Sequence, residues 1–341
     1  MTDRKFNVAV VGATGLVGET LCSILAERRF PVKQLFPLAS AASKGKRVAF
    51  GDRHVSVDDL ETFDFSQVDI ALFSAGGSVS RVHAPRAAEA GAVVIDNTSE
   101  FRYDDDIPLV VPEVNPHAIA RHTTRGIIAN PNCSTIQMLV ALKPLHDRSP
   151  IRRIEVATYQ SVSGAGRKGI EQLAGQTATL LNGRDLDLGE NEPRIAFNVW
   201  PHIDEFQDNG YSREEMKMVW ESQKILEDDS IIVNPTAVRV PVFYAHSEAV
   251  SVEFEGKISA PEARELLSAA PGVEVIDETA FGGYPTAALS GTGTDPVFVG
   301  RIREWLGDAP GLNLWVVSDN VRKGAALNTV QIAEILVKDH L

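Results

Sequence analysis

The sequence predicts an α/β protein with two domains, the first of them a doubly wound parallel sheet of the Rossmann type. Two observations predict the first domain: short apolar runs alternate with helical patterns, and glycine-rich turns follow several of these runs. A third observation predicts the second domain. Beyond about residue 133 several strand patterns alternate polar and apolar residues, as expected for an α+β domain with a mixed, largely antiparallel sheet.

The first predicted element is a buried strand at Phe6–Val11. The glycine-rich turn Gly12-Ala13-Thr14-Gly15-Leu16-Val17-Gly18 and a helical pattern to about Arg28 follow it. Such a turn binds a dinucleotide pyrophosphate, because backbone N–H groups at the helix N-terminus point at the ligand. The glycine spacing is GxxGxxG rather than GxGxxG, so the flanking strand and helix carry the prediction of a dinucleotide site.

Three more strand patterns continue the alternation of strands and helices. They are Gln34–Ala39, Val68–Phe73 and Ala92–Asp96, and a helical stretch around Ala84–Ala90 precedes the last one. A second turn suited to close backbone approach, Ser74-Ala75-Gly76, follows the strand at Val68–Phe73. Right-handed crossovers gather such turns at the carboxyl edge of a parallel sheet, where ligands bind.

The second half of the chain contains four more strand patterns and ends in a helical pattern. The strands are Ile154–Tyr159, Ile195–Val199, Ala237–Val242 and Ala249–Phe254, and the helical pattern is Gly324–Val337. We expect the terminal helix to pack on the first domain. The predicted nucleotide-binding domain comprises residues 1–133, completed by residues 321–341, and the second domain comprises residues 134–320.

Composition excludes several classes of partner. The net charge of −13 argues against nucleic acid and against an anionic membrane surface. No apolar stretch approaches the roughly 20 residues that span a bilayer, and the N-terminus leads directly into a strand rather than a signal sequence. Neither CxxC nor HExxH spacing occurs, so we expect no metal site. These features predict a cytoplasmic protein.

Cys133 stands out as a candidate nucleophile. It follows the strand-like stretch Gly126–Ala129 and precedes a helical pattern at Thr135–Leu142. A thiol at the start of a helix lies near unpaired N–H groups and the positive end of the dipole, which favour the thiolate. The alternative is a small buried hydrophobe, which is how Cys22 is interpreted within its apolar pattern.

The end of the second predicted strand indicates which dinucleotide binds. An NAD site usually has an acidic residue there, but residues 40–47 contain no carboxylate and supply hydroxyls and three cations. These groups, among them Ser40, Ser43 and Lys44, complement a 2′-phosphate, so the sequence favours NADP over NAD. The alternative is an ordinary solvated basic loop.

Three further clusters could complete a catalytic site. Arg239 and His246 lie on or beside one predicted strand, where Pro241 makes a regular strand doubtful. Glu214 and Lys217 are three residues apart and share a predicted helix face. Arg102 follows the fourth strand. Each also has an ordinary structural interpretation: a buried histidine with satisfied hydrogen bonds, a helical ion pair and a surface arginine.

Together, the motifs resemble those of the aspartate-semialdehyde dehydrogenase family. They are Gly12–Gly18, Asn130–Thr135, Gln160–Gly166, Glu214–Lys217 and Arg239–Glu248, and the closing run Asp319–Ala326 is similar too. Their order is that of the family, and the resemblance spans nearly the whole chain. The Cys, Gln and Arg/His motifs in this order are far more specific than the glycine turn.

The resemblance implies the catalytic roles of three residues. Cys133 would be the nucleophile, His246 the acid–base residue and Gln160 the group that orients the acyl intermediate. The implied reaction is the reversible NADPH-dependent reduction of L-aspartyl-4-phosphate to L-aspartate 4-semialdehyde and phosphate through a cysteine thioester. It belongs to the biosynthesis of lysine, threonine, methionine and diaminopimelate.

The resemblance also implies binding residues. Arg239 and Glu214 would hold the amino-acid end of the substrate, and Arg102 and Lys217, with Asn132, would bind phosphate. Together with the turns described above, it assigns cofactor binding to Gly12, Ala13, Thr14, Gly15, Leu16, Val17, Ser40, Ser43, Lys44, Ser74, Ala75, Gly76, Ser163, Gly164 and Asn320.

The implied partners are small molecules and further copies of the chain. The family forms a homodimer or a dimer of dimers, built largely on the sheet of the second domain. The sequence departs from the family in the adenosine loop, where Ala42 replaces a common Arg and Lys44 follows two residues later.

Other functions stay open at this point. N-acetyl-glutamyl-phosphate reductase shares the chemistry, but its cysteine motif typically has Gly where Asn132 stands. Glyceraldehyde-phosphate dehydrogenase has a doubled cysteine pattern that is absent here. A non-catalytic nucleotide-binding homologue is the alternative of a different class, and the set Cys133, Gln160 and His246 weighs against it.

Overall fold

The computed structural model describes residues 4–190 and 192–341. Its strands are β1 (Phe6–Val11), β2 (Val32–Ala39), β3 (Arg47–Phe50), β4 (Arg53–Ser56), β5 (Asp58–Asp59), β6 (Ile70–Phe73), β7 (Val93–Asp96), β8 (Ile127–Ala129), β9 (Ile151–Gln160), β10 (Ile232–Arg239), β11 (His246–Phe254), β12 (Val273–Val275), β13 (Val297–Glu304) and β14 (Gly311–Ser318). Its helices are α1 (Leu16–Glu27), α2 (Gly77–Glu89), α3 (Cys133–Arg148), α4 (Gly166–Leu181), α5 (Arg213–Leu226), α6 (Ala260–Ala269) and α7 (Leu327–Asp339).

The described chain divides into two compact units. The first contains the described residues up to Asn132 together with Gly324–Leu341, and the second contains Cys133–Lys323. Among the described residues, no helix is long and apolar enough to cross a membrane.

The first unit is built on a six-stranded sheet with the order β5-β2-β1-β6-β7-β8. All of its strand pairs are parallel, and β3 and β4 form a separate antiparallel hairpin. The chain winds from β1 to β2 on one side and then returns to β6 on the other side. This confirms the predicted doubly wound sheet and places its topological switch point between β1 and β6.

Helices α1 and α7 share the hydrophobic core of the first unit. Leu21 and Leu25 of α1 belong to the same buried cluster as Val330 and Leu336 of α7, together with strand residues such as Val8. The side chain of Asn328 in α7 also donates to the carbonyl oxygen of Val110 and to Oδ1 of Asn130. The C-terminal helix is therefore an integral part of this unit.

The second unit contains a six-stranded mixed sheet with the order β10-β9-β11-β14-β13-β12. The pairs β10–β9 and β12–β13 are parallel, and the other three pairs are antiparallel, as the sequence predicts. Helix α3 packs against β11, β13 and β14, and α5 packs against β10. Along β9 the residues Thr158 and Gln160 are buried, whereas Tyr159 between them is 37% exposed, so the sheet has one covered and one open face.

One predicted strand is wrong. Ile195–Val199 forms an irregular segment, because the side-chain oxygen of Gln176 in α4 accepts from the backbone N–H groups of Ile195 and Ala196, at 2.8 and 3.1 Å. The backbone then turns at Phe197, whose φ is +57°. A side chain thus takes the donors that a neighbouring strand would otherwise accept.

A second predicted strand is shorter at one end than expected. The pattern Ala237–Val242 ends as a strand at Arg239, and β10 starts earlier, at Ile232. Pro241 lacks the N–H group that would continue the ladder, and Val242 donates back to the carbonyl of Val240. The chain therefore leaves the sheet after Arg239 and re-enters it at His246.

Candidate active site

Three predicted site residues lie in one row across neighbouring strands of the second sheet. Arg239 ends β10 and pairs with Gln160, which ends β9. His246 begins β11, one position beyond the pair formed by Ser247 and Tyr159. Because residues in register across a sheet share a face, the three side chains lie side by side at one end of the covered face.

Cys133 is the first residue of α3, as predicted. The helix packs on the same sheet, the thiol is partly exposed, and its electrostatic interaction with Arg239 places these two side chains near each other. A helix N-terminus and a guanidinium both stabilise a thiolate. Cys22 has the opposite environment, because burial raises the pKa of its thiol to about 12, so it is the structural cysteine.

Helix α5 supplies the carboxylate that faces this row. Ser212 and Glu215 form a reciprocal capping box that fixes the start of α5. Within the first turn, the carboxylate of Glu214 accepts a hydrogen bond of 3.1 Å from the amide of Gln160 and one of 2.9 Å from the ammonium of Lys217. The predicted shared helix face of Glu214 and Lys217 is therefore present.

Lys217 is held by two carboxylates rather than one. Its ammonium lies 2.7 Å from Asp204 and 2.9 Å from Glu214. Burial acts to lower the pKa of Lys217, but the two carboxylates outweigh burial and raise it. Lys217 is therefore a fixed cation beside Glu214. Asp204 was not predicted from the sequence, because it lies in an irregular segment without a periodic pattern.

Arg239 is buried among groups that keep its side chain fixed. Its Nη1 donates a hydrogen bond of 2.7 Å to the carbonyl oxygen of Ser161. Burial lowers the pKa of Arg239, whereas Glu214 and Cys133 oppose that shift. A guanidinium resists deprotonation even when buried, so Arg239 is a permanent positive charge suited to a carboxylate.

His246 is fully buried and neutral. Burial, with help from the nearby charge of Arg239, lowers the pKa of the imidazole to about 3, and Glu214 opposes the shift. Both hydrogen bonds of the ring are made by Nδ1, with the backbone N–H and the hydroxyl of Ser161, each at 3.0 Å. Nε2 has no hydrogen-bond partner among the described residues.

Gly164 leaves space where two of these side chains meet. A Cβ atom on Gly164 would lie 2.9 Å from Nη1 of Arg239 and 3.4 Å from both Cε1 and Nε2 of His246. Gly164 itself is exposed, whereas His246 beside it is fully buried. A substrate atom placed there would meet a fixed cation and the free nitrogen of a neutral imidazole.

The first unit holds the other two predicted phosphate ligands, Arg102 and Asn132, and both are buried. Arg102 donates a hydrogen bond of 2.8 Å to the carbonyl oxygen of Asn97. Asp96 at the end of β7 anchors the same loop, because its carboxylate accepts from the hydroxyls of Ser80 and Thr98. Burial raises the pKa of Asp96, and these hydrogen bonds and the charge of Arg102 oppose it.

The predicted dinucleotide turn has the close packing that such a site requires. Gly12 has a φ of +84°, and a Cβ there would lie 2.9 Å from the main chain of Ser74, at the end of β6. A Cβ on Gly18 would lie 2.1 Å from the carbonyl oxygen of Gly12. The turn therefore brings bare backbone to the start of α1 at the switch point, a cradle that fits a pyrophosphate.

The end of β2 carries the predicted adenosine loop. Ser40 and Lys44 are exposed and flank a short helical turn, and Ser43 within that turn is hydrogen-bonded to the ammonium of Lys46. Two acidic residues that the sequence did not predict here, Asp58 and Asp59 of β5, pair with the last two residues of β2. Asp59 accepts from the backbone N–H of Glu61, so its carboxylate serves as a cap.

Three residues predicted to bind the cofactor lie beside His246. Asn320 and Ser163 are hydrogen-bonded to each other and to Ser161, and Gly164 lies against the imidazole. Their role towards the cofactor stays a prediction. Ser161 lies within the Gln160 motif but has no predicted role, since only the folded chain brings it to His246.

Comparison with known proteins agrees with this geometry. The family profile described as "Semialdehyde dehydrogenase, NAD binding domain" matches residues 7–122, and "Semialdehyde dehydrogenase, dimerisation domain" matches residues 142–323. A relative from Legionella pneumophila named aspartate-semialdehyde dehydrogenase is 61% identical over 338 residues, covering 99% of this chain and 97% of the relative.

Solved structures give the same result. A structure of aspartate semialdehyde dehydrogenase II from Vibrio cholerae, complexed with ASA, has a TM-score of 0.97 and 59% identity, covering 99% of this chain and all of that one. A Candida albicans aspartate semialdehyde dehydrogenase with NADP has a TM-score of 0.75 and 25% identity, covering 98% of this chain and 99% of that one. The chain therefore belongs to the aspartate-semialdehyde dehydrogenase family.

Proposed function

We propose that the protein catalyses the reversible reduction of L-aspartyl-4-phosphate to L-aspartate 4-semialdehyde and phosphate, with a thioester on Cys133. The observation that carries this proposal is the arrangement within the second unit, where Cys133 begins α3 beside the row of Arg239, Gln160 and His246. Thiolate, fixed cation and neutral imidazole are the groups that acyl transfer through a cysteine requires.

In the oxidative direction the thiolate of Cys133 adds to the aldehyde carbon and forms a thiohemiacetal. When bound, a nicotinamide dinucleotide supplies the acceptor for the hydride that this carbon loses. His246 lies where it can serve the oxygen of the same carbon, and Gln160, held by Glu214, orients the carbonyl of the thioester. Phosphate then attacks the thioester, which releases aspartyl phosphate and restores the thiolate.

Charge complementarity supports the choice of substrate. We infer that Arg239 binds the α-carboxylate of the substrate, since a guanidinium binds a carboxylate with two parallel hydrogen bonds. Glu214 supplies the negative charge that an α-amino group needs. For the phosphate we infer Lys217, Arg102 and Asn132, of which the two cations are held in fixed positions by their neighbours.

We also propose NADP as the cofactor. The support is the set of hydroxyls and cations after β2, namely Ser40, Ser43 and Lys44 with Lys46, which complement a 2′-phosphate. The Candida albicans relative was solved with NADP, which is a further reason for the choice. The negative charges of Asp58 and Asp59 beside the end of β2 would repel a 2′-phosphate. The ratio of the Kd values for NADP and NAD measures which effect is larger.

For the assembly we propose a homodimer formed through the open face of the second sheet. Tyr159 and Trp315 lie on this face with ring centroids 5.4 Å apart, and Tyr159 is 37% exposed. Exposed aromatic side chains on a sheet are typical of protein interfaces. A measured molecular mass of one chain at micromolar concentration would contradict this proposal.

The test of the proposed function is a pair of assays on wild-type protein and Cys133→Ala. We expect wild-type protein to form NADPH from aspartate semialdehyde over many turnovers only when both NADP and phosphate are present, and Cys133→Ala to form none. The N-acetyl-glutamate 5-semialdehyde analogue is assayed in parallel. Faster turnover of that analogue, or activity that survives in Cys133→Ala, would contradict the proposal.

A further inference from the structure

The hydrogen bonds of His246 determine which of its two nitrogens carries the proton. The backbone N–H of Ser161 donates to Nδ1 at 3.0 Å, and the hydroxyl of Ser161 lies 3.0 Å from the same atom. A backbone N–H can only donate, so Nδ1 must accept. In a neutral imidazole the proton is then on Nε2.

Asn320 fixes the groups that surround Nδ1 of His246. Its side-chain oxygen lies 3.1 Å from the hydroxyl oxygen of Ser161, and it accepts from the hydroxyl of Ser163 at 3.0 Å and from the backbone N–H of Ala245 at 3.1 Å. Because Nδ1 of His246 accepts, it shares the single hydroxyl proton of Ser161 with this oxygen. Ala245 directly precedes His246 and has a left-handed φ of +66°, a conformation that a non-glycine residue adopts only when its surroundings impose it. One amide thus holds both the serine and the backbone that carries the imidazole.

The other ring nitrogen faces the space proposed for the substrate. Nε2 of His246 is buried and has no hydrogen-bond partner among the described residues. It lies 3.4 Å from the point that a Cβ on Gly164 would occupy, and Nη1 of Arg239 lies 2.9 Å from the same point. A buried polar nitrogen without a partner costs free energy, so its retention beside the fixed cation points to a ligand atom that completes it.

The charges around the ring keep it neutral. Burial and the cation of Arg239 lower the pKa of His246, and only Glu214 among the nearby side chains opposes them. The backbone of Ala245 also favours the protonated ring, but its effect is the smallest of the four. Near neutral pH the ring therefore has one proton and presents one N–H.

We propose that Ser161 and Asn320 are positioning residues that hold His246 as its Nε2–H tautomer, so that Nε2 donates a hydrogen bond to the oxygen of the thiohemiacetal and of the thioester carbonyl. This role rests on the proposed function, because the oxygen belongs to the acyl group on Cys133. In this tautomer Nε2 has no free lone pair with which to deprotonate Cys133. The thiolate is instead stabilised by the N-terminus of α3 and by Arg239.

The direct test is a nitrogen-15 NMR spectrum of the full-length protein with labelled histidine, near neutral pH and without substrate. Comparison with His246→Asn identifies the ring signals of His246. We expect a protonated Nε2 and an unprotonated Nδ1. A protonated Nδ1, or a rapid average of the two tautomers, would overturn the proposal.

Kinetics of Ser161→Ala provide a second test, because this variant removes the hydroxyl and keeps the backbone N–H. We expect kcat to fall about ten-fold, because a ten-fold change corresponds to the free energy of about one hydrogen bond. KM for aspartate semialdehyde should stay unchanged, since Arg239 and Glu214 are untouched. Asn320→Ala should lower kcat further, because it releases Ser161, Ser163 and Ala245 together. Ser161→Thr, which keeps a hydroxyl, should restore kcat.

Ser163→Ala is the matched control. Its hydroxyl contacts Ser161 and Asn320 but not the imidazole, so we expect a smaller loss of kcat and the same tautomer. A rise in KM at constant kcat in Ser161→Ala would assign these residues to binding and contradict the positioning role. The NMR spectrum reports the tautomer of the resting protein and does not depend on activity. If wild-type protein fails to oxidise aspartate semialdehyde, the proposed function is contradicted, but the tautomer assignment is not.

Discussion

Arg239 and His246 end one strand and begin the next, so their side chains lie on the same face of the sheet although they are seven residues apart in the chain. A regular strand over the same seven residues would place them on opposite faces. The loop that starts at Val240 and contains Pro241 makes the difference, because it lets the chain leave β10 and enter β11. A fixed cation and a neutral imidazole thereby serve one site.

Replacement of Arg239 tests the binding of the substrate carboxylate. Arg239→Leu removes a charge-assisted, bidentate hydrogen bond, so we expect KM for aspartate semialdehyde to rise about 100-fold. Arg152→Leu is the matched control, since Arg152 is exposed near the opposite end of β9. Unchanged KM in Arg239→Leu, with the unfolding temperature of the wild type, would remove Arg239 from the substrate site.

Gly164→Ala tests the space between Arg239 and His246. The added Cβ would lie 2.9 Å from Nη1 of Arg239, which is too close without a shift of the guanidinium. We expect kcat/KM to fall at least about ten-fold, because the guanidinium must move from its place beside His246. Gly175→Ala in α4 is the control, since nothing lies within 4 Å of its Cβ position. Equal activity in the two variants would show that the space above Gly164 is not used.

A charge reversal at Lys44 tests the preference for NADP. We expect Lys44→Glu to raise the Kd for NADP at least about ten-fold and to leave the Kd for NAD within about two-fold, because only NADP carries the 2′-phosphate. Lys33→Glu makes the same change at the other end of β2 and should affect neither Kd. Equal weakening of both dinucleotides by Lys44→Glu would place the 2′-phosphate elsewhere.

Glu248 gives a prediction for stability against pH. It lies on the covered face of β11, and burial raises the pKa of its carboxyl well above the ordinary value of 4.5, with Gln137 opposing the shift. The folded state thus keeps a proton that the unfolded state loses above pH 4.5. This carboxyl therefore reduces stability as the pH rises from 4.5, by up to about 1.4 kcal/mol per pH unit.

Glu248→Gln should therefore have a larger free energy of unfolding than the wild type at pH 7.5, and the two proteins should converge near pH 4.5. Denaturant unfolding at several pH values measures this difference. Glu253→Gln, on the half-exposed face of the same strand, should change the unfolding free energy little at either pH. A Glu248→Gln protein that is less stable at pH 7.5 than the wild type would show that the carboxyl is ionised and paired.

The sequence predicted the elements whose signals are local. The strand, glycine turn and helix from Phe6 to Glu27 and the helix that starts at Cys133 follow from periodicity and from turn chemistry. The segment Ile195–Val199 was mispredicted because its apolar pattern fits a strand, whereas a side chain twenty residues earlier, Gln176, takes its N–H groups. Such a distant competitor leaves no periodic signal.

The site was predicted by residue type but not by its contacts. Cys133, Gln160, Arg239 and His246 were named from their motifs. The hydrogen bonds between Asn320 and the groups around His246 join residues more than seventy positions apart in the chain. Only the registers of β9 with β11 and of β11 with β14 bring such groups together, and these registers depend on the whole sheet.

The most direct test of the account is whether Cys133 carries the acyl group. Protein mixed with aspartate semialdehyde and NADP but no phosphate should release one NADPH per chain in a burst, and mass spectrometry should find the aspartyl group on Cys133. Cys22→Ala, which removes the only other cysteine of the sequence, should give the same burst. Absence of the burst, or an acyl group on any other residue, would contradict the central claim.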